Sequence, residues 1–527
     1  MGRWSRALVA LLIVGAAVPA VGAGATTDPD DRRAQVRPDP ATDRTGWEAG
    51  YWHDDAIDVD QSDGLSDREL DAYVARAMAR VEYIRDAEFE RSVPVEVIGR
   101  EAFRRRTSED NATAAFAAWN NQVWEALFVD GEDSNVQDEL GRTVGSSVAG
   151  FYAPGDNEIK IITDTPESPT IDNATLVHEL THALQDQTVD LTSEQLRGGT
   201  QDADLAVDGL VEGEASLVEA LYERRCGTDW DCVAGPPRSG GATGERPNLG
   251  ILLVLLHPYS DGPVYVNALR EREGWAGVRA AYDDPPASTE QVIHRTDERP
   301  TPIAFEDRAR RGWRPYPGQG ENGSDTVGEA SIYVMLWYQA QSTNADTVDP
   351  QAITRTDSPF DLYNYDATPS AGWGNDRVFP YRDGEAGAND TRHGYVWVTE
   401  WDTVRDARQF RRAYGAILDA RDARTRADGI RVIEDGPFAD AFRVVRRGTR
   451  VIVVNGPTPA AVRAIRPGLS GSAGTASDGD GSGDAAGNGS APFGLDSDAA
   501  APGFGVLAAL VAVLCAAGVA LGQRRRG

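Results

Sequence analysis

The sequence predicts an α+β protein. Helical and strand periodicities fall in separate blocks instead of alternating strictly, two strand-like segments form a hairpin signal, and the hairpin leads straight into a helical segment with histidines four residues apart. Once the two ends of the 527-residue chain are set aside, about 400 residues remain, enough for one large core or two fused ones.

The chain opens on Arg3 and Arg6, an apolar run over 7–21 and small residues ending Ala23-Gly24-Ala25, which reads as a secretory signal peptide, 1–25. Residues 26–64 are acidic, with Pro and Asp clusters and little periodicity, and read as a flexible lead-in. The globular region is expected over 65–469, with any boundary between two subdomains near 240–300. Ser66 is an N-cap for a helix whose apolar positions are Leu70, Tyr73, Val74, Ala77 and Val81. A strand at 93–98 and an amphipathic helix at 112–128 follow. Strands at 147–152 and 158–163 flank the turn Pro154-Gly155-Asp156-Asn157. The histidine-bearing helix starts at Asp172 or Asn173, and a second, acidic helix spans roughly 202–225. Further helices are expected at 249–256, 264–282, 327–340 and 404–418, with strands at 394–398, 442–445 and 451–454.

An acidic Gly/Ser/Ala linker occupies 470–501, and 503–522 is an uninterrupted stretch of apolar and small residues followed by Arg524, Arg525 and Arg526. A helix of that length spans about 30 Å, the thickness of a hydrocarbon core, and the arginines favour the cytoplasmic side. Everything before this transmembrane helix is therefore expected outside the cell. The formal charge is −31, with Lys160 the single lysine against abundant Arg and Asp. Molar salt cuts the Debye length to about 3 Å, so crowded carboxylates repel little there and keep the surface hydrated. A nucleic-acid partner is excluded, because no basic stripe is present to neutralise phosphates. Cys226 and Cys232, close together in a Gly/Asp loop, predict a small extracellular disulfide.

The chemistry centres on His178-Glu179-Leu180-Thr181-His182. Residues four apart face the same way on a helix, so His178 and His182 present two imidazoles to one Zn²⁺, with Glu179 beside it as general base. A zinc site of this kind needs a third protein ligand and an open position for water. On the acidic helix, Leu210, Val211, Leu217, Val218 and Leu221 form one apolar stripe with Glu214 in its middle, while Asp208, Glu212, Ser216 and Glu219 share the opposite face. A carboxylate among apolar side chains needs a partner, so Glu214 is a candidate ligand or a group beside one. Glu212 is preferred, since a zinc cleft is polar and Gly213 permits close helix approach. A donor for the developing oxyanion is also required, and His294 or Tyr259 can supply it.

The stretch 178–183, His-Glu-Leu-Thr-His-Ala, resembles the active helix of thermolysin-like peptidases, and Asp186 falls where that family also has an acidic residue. The segment Val211-Glu212-Gly213-Glu214-Ala215 is similar to the Asn-Glu-Gly-x-Ala segment of aminopeptidase-type gluzincins, with Val211 in place of Asn. The resemblance implies a zincin-like core with additional α/β elements after it, zinc held by His178, His182 and Glu212, and a counterpart role for Glu219. The spacing from His182 to Glu212 is longer than in those families. A further likeness, to uncharacterised prokaryotic HELTHALQDQ proteins, rests on His257-Pro258-Tyr259, the segment ending in His294, Gly328-Glu329 and Gly372-Trp373-Gly374-Asn375-Asp376-Arg377. Pro502-Gly503-Phe504, between linker and apolar stretch, resembles the PGF-CTERM sorting signal of haloarchaeal surface proteins. That likeness implies an archaeosortase-type processing enzyme that removes the helix and leaves a lipid anchor. The resulting expectation is a surface-anchored zinc metallopeptidase acting on peptide or protein substrates. The alternative is a non-catalytic surface-layer protein on a zincin scaffold.

Overall fold

Alternation of Ile159 and Ile161 with Lys160 puts one face of a short strand in the core and the lysine on the other, where it pairs with Glu96 at 2.5 Å and with Glu158. The computed structural model describes residues 8–10, 38–107, 113–235, 247–385 and 391–469. The rest of the expected signal segment, the expected linker over 470–501 and the sorting signal and transmembrane stretch expected over 502–527 lie outside the described residues. Four strands form the first sheet: β1 (Leu8–Ala10), β2 (Val95–Gly99), β3 (Gly150–Ala153) and β4 (Glu158–Thr163). Their order is β1-β3-β4-β2, with β2 parallel to β4 and the other pairs antiparallel.

Helices pack on this sheet. A capping box between Ser66 and Glu69 starts α1 (Asp67–Arg85), and Thr113 caps α2 (Ala114–Ala126). Asp172 caps α3 (Asn173–Val189), which carries the two histidines, and Thr200 caps α4 (Gln201–Glu223). Val81, Tyr152, Ile159, Leu176, Leu180 and Tyr222 bring α1, α3, α4 and the sheet into one apolar cluster. The two helices expected at 249–256 and 264–282 form one run, α5 (Leu249–Ala281), which continues through Pro258 and Pro263 and breaks its geometry only at Gly274. Its packing on α4 overrides the local breakers: a Cβ on Gly213 would lie 2.4 Å from the Gly262 backbone, and one on Gly262 would lie 2.5 Å from the Gly209 carbonyl. By length and composition α5 is also apolar enough to cross a membrane, but 67% of the relevant window is buried within the fold. Ser288 caps the short α6 (Thr289–His294), and α7 (Gly328–Thr343) packs against α5 and α6.

The second sheet is antiparallel throughout: β5 (Arg314–Pro315), β6 (Trp373–Asp383), β7 (Arg392–Trp401), β8 (Arg424–Thr425), β9 (Arg431–Val432), β10 (Ala441–Arg447) and β11 (Arg450–Gly456), in the order β8-β9-β10-β11-β7-β6-β5. Between β7 and β8 runs α8 (Val404–Ala420), and α9 (Pro459–Ile465) closes the cluster of Val396, Val398, Ile452, Val454 and Val462. The fold is thus mixed α+β, and its described residues fall in one compact unit.

Besides the merged α5, three segments differ from expectation. The strand placed at 147 begins at Gly150, because 136–147 forms a helix. The long β6 was not anticipated: Gly374, Asn375, Asp376 and Pro380 are poor strand formers, and pairing with β7 overrides them. The lead-in is attached over 38–64. Gly46 donates to Glu82 at 2.8 Å, Gln61 donates to the Ile171 and Ala234 carbonyls at 3.0 Å, and Ile57 and Val59 pack on the first core. Sparse apolar residues in an acidic stretch carry little periodicity, yet they suffice for docking once a surface exists to receive them.

Candidate metal centre

The Asp172 carboxylate accepts from the Ala174 amide at 2.7 Å and starts α3, which carries His178 and His182 one turn apart and buried. Across from them, the Gly209/Gly213/Gly262 contact presses α4 onto α5 and fixes the rotation of Glu212. Glu212 Oε2 lies 3.1 Å from His178 Nε2 and 3.2 Å from His182 Nε2. One donor atom from each of these three buried residues lies within 4.8 Å of the others, so they form a group that could bind a metal ion.

The outer ring nitrogens determine what the inner ones can do. His178 Nδ1 faces Glu219 Oε2 at 3.2 Å, and a carboxylate only accepts. His182 Nδ1 faces Gln185 Oε1 at 2.7 Å. The Gln185 amide is oriented by its NH₂, which donates to the Val211 carbonyl at 2.9 Å and to the Tyr282 hydroxyl at 2.8 Å. Both Nδ1 atoms therefore carry hydrogen, and both Nε2 lone pairs turn inward. Two nitrogens this close to one carboxylate oxygen require positive charge between them, either a second proton on each ring or a metal ion.

Electrostatics express the same demand. Burial opposes ionisation of Glu212, but His182 and His178 outweigh it and hold the carboxyl at about 2. Burial likewise opposes a charged His178, yet its hydrogen bonds to Glu212 and Glu219 push it up to about 10. His182 is raised against its burial by Glu212. Glu179 is fully buried with neither oxygen hydrogen-bonded, and burial raises it to about 7 against the pull of His178 and His182.

The other sequence-selected residues are distributed unevenly. Glu219 lies behind His178, and the Tyr259 ring stacks along the His178 ring with centroids 6.1 Å apart. Glu214 turns away from the triad: it pairs with Arg85 at 2.5 Å and accepts from the Tyr282 hydroxyl at 2.7 Å. Asp186 accepts from the Tyr152 hydroxyl at 2.9 Å and from the Leu191 amide at 3.0 Å, tying the end of α3 to β3. His294 sits with Glu329, not with the triad; its Nε2 is 3.0 Å from each Glu329 oxygen. Cys226 and Cys232 form a disulfide. Gln185, which the sequence reading gives no role, is the polar group that orients His182; its position three residues after that histidine, on the same face, is the signal that could have found it.

The fold and site thus define an α+β chain with a buried His-His-Glu group capable of holding a metal. Residues 314–466, which include the second sheet and α7 but not the triad, match a family described as a domain of unknown function (DUF8575). No curated protein and no solved structure matches the chain.

Proposed function

We propose that the chain is an exported zinc-dependent peptidase with a gluzincin-type site on a zincin-like core, held at the cell surface by its C-terminus. The observation that carries this reading is the convergence of two Nδ1-protonated histidines and one carboxylate oxygen. Zinc bonds of about 2.0–2.1 Å imply donor–donor edges of about 3.3 Å in a tetrahedron, close to the 3.1 and 3.2 Å separations of the two histidine nitrogens from Glu212 Oε2. His178, His182 and Glu212 would hold the ion, with Glu219 and Gln185 fixing the imidazoles. A bound zinc supplies Lewis acidity, polarising a carbonyl and acidifying water.

The chain's own residues supply the proton transfers. Glu179, raised to about 7, accepts a proton from the attacking water and returns it to the leaving amine. Tyr259, beside His178, is the better-placed of the two oxyanion-donor candidates, since His294 is engaged by Glu329. Substrate has an edge to lie on: β1, within the expected signal segment, runs antiparallel along β3, whose Tyr152 amide favours the ionised form of Glu179. Removal of the signal segment would open that edge to an extended peptide. Residues 502–527 would deliver the protein to the membrane, with the transmembrane helix retained or exchanged for lipid by an archaeosortase-type enzyme.

The test is Glu179→Gln in protein purified at high salt and assayed on a broad peptide library. Metal content should be unchanged while hydrolysis falls by about 10²–10⁴-fold, the usual contribution of a general base. Hydrolysis that survives the substitution with metal bound would overturn the mechanism, and wild-type protein that binds zinc but cleaves nothing in the library would favour the non-catalytic surface-layer alternative.

A further inference from the structure

The end of α6 and the start of α7 bring a second set of donor atoms together. His294 is the last residue of α6, and Glu329 lies in the first turn of α7, fully buried. His294 Nε2 is equidistant from the two Glu329 oxygens, 3.0 Å from each. A single N–H points at one acceptor lone pair, so equal approach to both oxygens is poor hydrogen-bond geometry. Asp366 offers a carboxylate from the exposed side, and one donor atom from each of the three lies within 4.8 Å of the others.

Glu329 is held there by a network of its own. Gly328 adopts φ +80°, and a Cβ there would meet Asp202 at 1.8 Å. The Gly328 amide donates to Asp376 at 2.9 Å, and the indoles of Trp373 and Trp397 donate to the same carboxylate at 3.1 and 2.8 Å. A fully buried aspartate with this many donors anchors the start of α7 and hence the position of Glu329.

Unsatisfied groups point to a missing ligand. Asp261, on α5, is 6% exposed; its Oδ2 lies 3.8 Å from His257 Nε2, beyond hydrogen-bond reach, and the charges acting on it are those of Asp361, Arg295, Glu329 and His294. The Tyr333 hydroxyl is 1% exposed and also without a partner; it follows Glu329 by one helical turn and lies near Asp261 and Asp366. Glu290 Oε2, near Glu329 and His294, is buried and unpartnered as well. Buried polar atoms are normally satisfied, and three orphans around one donor set mark a place where a charge or a ligand is expected.

We propose that His294, Glu329 and Asp366 hold a second divalent metal ion, of the first-row class from manganese to zinc, at a site that shares no residue with His178, His182 and Glu212. One imidazole with two carboxylates suits that class; the all-oxygen shells of calcium and magnesium do not use an imidazole. Asp261 and Tyr333, which lie outside the set but act on it electrostatically, would serve as further oxygen donors through water. The ion would tie α6 to α7 and both to the segment that leads into β6. The proposal does not depend on the triad being catalytic.

The experiment is metal stoichiometry on the full chain at high salt. Protein stripped with chelator is reloaded separately with Zn²⁺ and Mn²⁺, desalted and measured by elemental analysis. Wild type should bind two equivalents of at least one of the two metals. Asp366→Asn, at an exposed position, and His294→Gln should each lose one equivalent while retaining the wild-type circular dichroism spectrum; His178→Ala with His182→Ala should lose the other. A wild type that binds a single equivalent, removed only by the His178/His182 pair, would overturn the proposal, as would a second equivalent indifferent to both Asp366→Asn and His294→Gln. Glu179→Gln leaves the count untouched, so failure of the peptidase reading and failure of this one are told apart.

Discussion

Glu212 on α4 and Glu125 on α2 are both buried helical carboxylates, and their surroundings drive them in opposite directions. Burial opposes ionisation of each. At Glu212 two imidazoles outweigh that penalty and hold the group at about 2. At Glu125 burial is reinforced by Asp440 and Glu132, only the Gln122 amide resists, and the carboxyl is driven well above its ordinary range. Desolvation is comparable in the two places; the neighbouring sign of charge decides. A carboxylate met by two ring nitrogens becomes a cation receptor, whereas a carboxylate met by another carboxylate keeps a proton.

The largest effects should come from exchanging one kind of carboxylate for the other within α4. Glu212→Gln removes the charge that faces both Nε2 atoms, and metal retained by the triad after desalting should drop to background. Glu214→Gln, two residues on, should leave that metal in place. Its cost lies in stability, because Arg85 would remain buried without its anionic partner. Breaking such a pair costs about 3–5 kcal/mol, to be read from unfolding at fixed salt. Reversal of the two phenotypes would show that the rotation of α4 is wrong.

A smaller effect belongs to Gln185, which uses an amide rather than a charge. Gln185→Leu leaves His182 Nδ1 without its acceptor and frees the ring to turn. Loss of such an orienting partner lowers metal affinity by about 10–100-fold, measurable by competition with a chelator. An unchanged affinity would mean that packing alone positions His182.

The same contrast separates what was legible in the sequence from what was not. The pairing of His178 with His182 is a property of one helix, so spacing alone is enough to place it. The choice between Glu212 and Glu214 is not, because both lie on one helix and the decision rests on how α4 is rotated, which Gly209 and Gly213 set through contact with Gly262 on another helix. His294 is one of two donors, with Tyr259, that the sequence offers to the first site; the partner it meets, Glu329, lies 35 residues further along, on a separate helix, and spacing gives no sign of that meeting. The helix and strand blocks were readable where periodicity was strong, as in α1 and β4, and failed at β6, where sheet pairing overrides Gly, Asn, Asp and Pro. The Glu125–Asp440 contact left no trace in the sequence, since two acids far apart in the chain carry no mark that they will meet.

That contact gives the clearest test of the comparison. Glu125 Oε1 and Asp440 Oδ1 are buried without hydrogen-bond donors, while Asn455 donates to the other Asp440 oxygen at 2.7 Å. Burial, with Glu132 adding to it, raises Asp440 to about 7. The ordinary value for Asp440 is 3.8, so between there and about 7 the folded Asp440 holds a proton that the unfolded chain has released. The unfolded state then binds fewer protons, and stability falls as pH rises through this window, at about 1.4 kcal/mol per pH unit for one proton. Asp440→Asn supplies a permanent hydrogen in place of the titrating one. Its stability relative to wild type should be near zero below pH 4 and should grow in the variant's favour up to about pH 7, then level off. Parallel curves for the two proteins across that range would mean that a cation, not a proton, already neutralises the pair, and the second region would then resemble the first.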